Sequence, residues 1–150
     1  MKFTPFRINT FLLFKLPSAY FCGVRLKEFT PQKVKTTVRL SWFNQNPFKS
    51  MYFAVQAMAA ELSTGVLMMY HVQNSGHKIS MLVLANKSVF HKKATGRINF
   101  ISEDNQQIKE VIQRVIQTKE GQTCWIHSKG YNQQGEVVSE FDFQWTIKVK

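Results

Sequence analysis

Ser50-Met51-Tyr52-Phe53-Ala54-Val55-Gln56-Ala57-Met58-Ala59-Ala60-Glu61-Leu62-Ser63-Thr64 holds no glycine or proline and is rich in alanine, methionine and leucine. Such a composition favours a helix, predicted over residues 51–64. Between Tyr52 and Tyr70 the strongly polar side chains are Gln56, Glu61, Ser63 and Thr64 alone, so the helix is apolar nearly all round. A helix of that kind belongs inside a fold, and something must wrap it.

The flanking sequence supplies the wrapping. Residues 24–26 and 34–42 alternate with period two, Lys33, Lys35, Thr37 and Arg39 falling between Val34, Val38, Leu40 and Trp42, which reads as two strands joined at Thr30-Pro31-Gln32. Asn44-Gln45-Asn46-Pro47 then breaks the pattern. After a turn at Asn74-Ser75-Gly76, the almost unbroken apolar run 79–85 reads as a central strand covered on both faces. Residues 94–101 form another strand. Asp104 with Gln107 three residues on has the form of a capping box, and Ile108, Val111, Ile112, Val115 and Ile116 repeat at helical spacing up to Gly121. Phe141, Phe143, Trp145, Ile147 and Val149 alternate strictly with polar residues, and pair as a hairpin with residues 122–131 across the turn 132–135. Ahead of all this, residues 9–22 read as a leading helix capped by Asn9 and interrupted at Pro17. The fold class is therefore α+β: one antiparallel sheet curled around one buried helix.

A chain of 150 residues supports one ordinary core, so residues 1–150 are expected to form a single domain. Apolar residues make up 44% and charged residues 19%, which excludes the disordered class. The formal charge of +11 favours anionic or phosphate-bearing partners and equally fits a plain solvated basic surface. Cys22 and Cys124 make no disulfide framework, and the longest early apolar run, Phe11-Leu12-Leu13-Phe14, is too short for a signal peptide or a membrane span. A cytoplasmic protein is expected. His71, His77, His91 and His127 lack metal-ligand spacing, so no metal is expected. Nucleic-acid binding would rest on charge and aromatics alone and is not expected, because the alternation assigns most of those rings to the core.

Glu61 stands out. A carboxylate midway along an apolar helix must be paired, protonated or used, and its pKa should rise if it is buried alone. The plain alternative pairs it with a lysine or arginine or turns it to solvent. In use, it would serve as general base or nucleophile. At the start of the same helix, the free N–H groups near residues 50–53 could stabilise a developing oxyanion. Phe53 and Glu61 are eight residues apart, about 12 Å along the axis. One helix cannot set both on one carbonyl. Two antiparallel helices across a two-fold axis can, which predicts a homodimer with composite sites.

Asn46 and the stretch from Ser50 to Ala54 leading to Glu61 resemble the hotdog-fold thioesterases of the phenylacetate-pathway type. Their motif runs Asn-His-x-Gly-x-x-His-Gly-Gly with an acid seven positions on. Asn46 falls on the Asn, Tyr52 on the later His, Phe53 and Ala54 on the paired glycines, and Glu61 on the acid, while Pro47 replaces the earlier His. Leu16-Pro17-Ser18-Ala19, Gly23 and Ala60-Glu61-Leu62-Ser63-Thr64-Gly65 resemble more closely a bacterial thioesterase-like group of the same superfamily.

The resemblance implies a dimeric hotdog fold, in which dimers can pair into tetramers, and an acyl-CoA thioester as substrate, with no cofactor beyond that coenzyme. It gives Glu61 the role of base or nucleophile and the Phe53 amide that of oxyanion donor. Ser80 falls where some relatives place a polar helper, and Lys87, Lys92, Lys93 and Arg97 where relatives hold the coenzyme A phosphates. Because the His-Gly-Gly segment has become Tyr52-Phe53-Ala54, a module that binds acyl chains or acyl-CoA without turnover is the alternative.

Overall fold

The computed structural model describes residues 2–150. Two short helices, α1 (Pro5–Lys15) and α2 (Pro17–Phe21), precede β1 (Arg25–Phe29) and β2 (Val34–Arg39). After a 3₁₀ turn at Trp42–Asn44 comes α3 (Phe53–Asn74), then β3 (Ile79–Phe90), β4 (Arg97–Ser102), α4 (Asn105–Thr118), β5 (Gln122–Tyr131) and β6 (Val137–Val149). The six strands form one antiparallel sheet in the order β1-β2-β4-β5-β6-β3. The sheet wraps α3, and the expected order of elements holds.

Packing on α3 is polar where it has to be. Thr36 on β2 donates to the Ala59 carbonyl, the Ser63 and Ser128 hydroxyls meet at 2.7 Å, and Ser139 donates to Gln56. Each satisfies a group that burial would otherwise penalise by a few kcal/mol. The greasy partners are the alternating side chains of the last strand: Phe141, Phe143, Trp145 and Ile147 are buried, as their period required.

Several expectations are corrected. Helix α1 starts four residues before Asn9 because Thr4 caps it and Pro5 presets its first turn, while the Asn9 amide instead pairs with the backbone of Leu26. The break at Pro17 is present. Strand β2 stops at Arg39, and Trp42, 84% exposed, belongs to the turn. Helix α3 runs on to Asn74, through Gly65, since packing on both sides overrides the glycine's weak propensity. Residues 79–85 lie on an edge strand, not a central one: β3 pairs only with β6 and leaves Leu82 and Leu84 exposed. Strand β4 begins at Arg97 rather than residue 94. The Asp104 carboxylate caps nothing on α4; it accepts from the His127 backbone N–H at 2.6 Å.

Candidate active site

Helix α3 needs a defined start, and Asn44 and Asn46 build it. The buried Asn44 amide donates to the carbonyls of Cys22 and Arg39 and accepts from Ser41 N–H, tying α2, β2 and the 3₁₀ turn together. Its own carbonyl receives the Tyr52 N–H. Asn46 accepts from the backbone of Phe48 and Ser50 and bonds the Ser50 hydroxyl, folding residues 46–50 back on themselves with Lys49 in the left-handed region at φ 60°. Tyr52 then caps α3 in an extended conformation, and Phe53 is its first residue. The Tyr52 carbonyl receives the N–H groups of Val55 and Gln56, whereas the Phe53 N–H has no acceptor among the described residues. It is one of the orphan donors every helix start carries.

That start opens on a cavity of about 550 Å³ whose walls include Asn46, Tyr52, Phe53, Gln56, Phe90 and the 91–94 segment with Lys92 and Lys93. The Phe53 ring, 55% exposed, lies edge-on to Tyr52 and Phe90. Lys92 is ion-paired with Glu136, and His91 Nε2 is hydrogen-bonded to Glu140 at 2.8 Å. Asn46, Phe53, Lys92 and Lys93 are thus brought together.

Glu61 lies elsewhere in the chain's own geometry. Its carboxylate belongs to a second, small cavity of about 60 Å³ lined by Ile8, Phe11 and Leu16 from the leading segment, by Gly65 and Met69 of α3, and by Met81 and Trp145 from the sheet. Among the described residues no lysine, arginine or histidine lines it, and burial pushes the Glu61 pKa above the usual carboxylate range. Pairing with a lysine or arginine is absent among the described residues, and Glu61 is half-buried rather than turned out to solvent.

The remaining predicted residues face the other way. Ser80 is paired with Lys148, one step from the inward pair Met81 and Ile147, so its hydroxyl sits on the outer face and donates to the Lys148 carbonyl. Lys87 lies within β3, on that same outer face, over the Trp125 ring at 4.8 Å. Arg97 reaches Thr37 on the outer face of β4 and β2, with β5 and β6 between it and β3. The four cations therefore do not form one cluster. Gln56 and Asn44 were not singled out by sequence reasoning, although a glutamine inside an apolar helix was the available signal for the first. Among the described residues no three His, Cys, Asp or Glu side chains converge as for a metal.

Solved structures share this architecture. A Pseudomonas aeruginosa protein of unknown function, described as a probable thioesterase, superposes with a TM-score of 0.82 at 19% identity, covering 98% of this chain and 97% of its own. A Chlorobaculum tepidum protein of unknown function gives 0.81 at 17%, covering 98% of each chain. A thioesterase from Haemophilus influenzae gives 0.74 at 10%, covering 99% and 93%. At these identities the likeness is one of fold, and the fold is the hotdog: an antiparallel six-stranded sheet around a central helix. No curated protein matches the chain. A family profile matches residues 7–147, and the chain belongs to that family, the domain of unknown function DUF4442.

Proposed function

We propose that the protein is an acyl-CoA thioesterase whose site is shared by two copies of the chain. The observation that carries this reading is the Glu61 carboxylate, held without a cation in an apolar pocket. A base with a raised pKa is matched to water activation near neutral pH. The Phe53 N–H binds the thioester oxygen as charge develops, Asn46 keeps the loop that aims it, and Lys92 and Lys93 at the cavity wall meet the coenzyme A phosphates. Lys87, Arg97 and Ser80 stand on the outer face of the sheet and are given no role in this step. Glu61 takes a proton from water, the hydroxide adds to the thioester carbon, and collapse of the intermediate expels the thiolate, which receives the proton.

The Phe53 amide and Glu61 occupy different cavities in one chain, which is the arrangement a composite site requires. The free edge of β3, with Leu82 and Leu84 exposed, is where a second copy would extend the sheet and lay the two α3 helices side by side. Leu84→Lys is expected to halve the sedimentation mass and abolish turnover together. Both cysteines are free, as suits a reducing, cytoplasmic setting. No helix of the described residues is long and apolar enough to cross a membrane.

The decisive experiment is hydrolysis of acyl-CoA substrates across chain lengths by the wild type and by Glu61→Gln; equal rates end the proposal. The second reading, an acyl-CoA binder without turnover, is favoured by the Phe53 ring at the cavity mouth. It expects calorimetric binding of a non-hydrolysable acyl-CoA analogue with no hydrolysis of the natural thioester.

A further inference from the structure

Gly65 lies inside the 22-residue helix α3, where glycine is the least favourable residue after proline. Its backbone does not need glycine, since its φ is not among the positive ones. What it supplies is room. A Cβ at this position would stand 3.2 Å from Glu61 Oε1 and 3.5 Å from the Trp145 ring. Residues four apart share one helix face, so the Glu61 carboxylate is folded down over a bare α-carbon one turn on.

The other wall of that slot is braced. The buried Trp145 ring arrives from β6, and its indole N–H donates to the Thr64 hydroxyl at 3.2 Å. Thr64 in turn donates to the Glu61 carbonyl at 2.9 Å. Ring, hydroxyl and helix backbone thus fix one side, α1 and Leu16 close over the top, and the acid fills what the missing side chain leaves.

We propose that Gly65 is a positioning residue for the acid: its bare α-carbon holds the Glu61 carboxylate against Trp145, facing the small apolar cavity. The inference rests on reading Glu61 as the base and specifies what keeps it poised. That cavity, about 60 Å³, has room for a water-sized guest beside the carboxylate. No titratable side chain besides Glu61 lines it. The charged groups of the elements packed around it, Arg7 and Lys15 on α1, Lys87 on β3, and Glu140, Asp142 and Lys148 on β6, are all outside the lining, as is His71 further along α3.

Gly65→Ala tests this, because alanine suits a helix better than glycine while its methyl, 3.2 Å from Glu61 Oε1, makes the carboxylate give by a few tenths of an ångström. The Glu61 carboxyl is titrated by carbon NMR in the full-length chain, alongside thermal melting and the pH profile of thioester hydrolysis. The expected result is a Glu61 pKa moved down toward the ordinary value and a melting temperature no lower than wild type. The value of kcat should be about threefold to tenfold lower with KM nearly unchanged, and the acid limb of the profile moved to lower pH. An unchanged titration and unchanged kcat would overturn the proposal. So would a variant that melts lower than wild type or fails to fold, since the glycine would then serve the fold rather than the acid. If the wild type hydrolyses no thioester, the proposed function fails, yet the titration still decides whether Gly65 positions Glu61.

Discussion

Replacing Phe53 by alanine and, separately, by proline distinguishes its ring from its amide. Tyr52 sits at φ −60°, ψ 137°, the extended region that a residue before proline requires, and Phe53 is the first residue of α3. Proline is well accommodated at a first helical position, and this chain already opens α1 and α2 with Pro5 and Pro17. The backbone therefore tolerates the change, while the N–H disappears. Both variants lose the half-exposed ring, which lies edge-on to Tyr52 at 4.9 Å and Phe90 at 6.4 Å. Two such contacts are together worth about 1–2 kcal/mol. For a chain of this length that lowers the melting temperature by roughly 2–8 °C, equally in the two. Loss of one oxyanion donor lowers kcat by about 10²–10³. Phe53→Pro should then turn over acyl-CoA about 10²–10³ more slowly than Phe53→Ala at matched stability, measured as thiol release under saturating substrate. Equal kcat in the two variants would refute the assignment of the amide as donor.

Burial raises the Glu61 pKa in the folded chain, so the unfolded chain binds fewer protons and stability falls as pH rises from about 4.3 through the raised value. Glu61→Gln should accordingly melt above wild type at pH 8, with the gap closing below about pH 4; a gap independent of pH would count against a desolvated acid. Gly130→Ala places a Cβ 2.6 Å from the buried Phe100 ring and 3.0 Å from Ser139 Oγ, an overpacking worth about 1–3 kcal/mol. The urea midpoint should drop at constant m-value. Burial pushes the Cys124 thiol up to about 11, so alkylation at pH 8 should be slow in the native protein and rapid after denaturation.

The parts of the fold legible in the sequence are those whose cause is local. Strict alternation from Phe141 to Val149 needs only the pleat of one strand, and it gives the inward face of β6 correctly. The buried helix was visible as a long stretch with few polar side chains, but its end was not, because sheet packing carries α3 past Gly65 to Asn74. An apolar run shows its hydrophobicity but not its place in the strand order, so 79–85 read as central and lies at the edge. In the site, Glu61 stood out by its chemistry. Its apolar surroundings were not legible, since Ile8, Phe11 and Leu16 come from more than forty residues upstream. Which face Lys87 and Arg97 occupy depends on strand register, including the bulge between Val83 and Ala85, and composition does not encode that.

The strand order also sets a timetable for synthesis. During synthesis β3 precedes β6, its sole neighbour among the described residues and the sixth of the six strands. Between those events helix α4 and strands β4 and β5 must be translated while Leu82, Leu84 and Val89 wait without a mate. Sheets closed by such distant pairings fold slowly and are vulnerable to sticking in the meantime. A premature stop before residue 137 would release a polypeptide with β3 unpaired and α3 lacking Trp145 beside it, a natural client for chaperones and proteases.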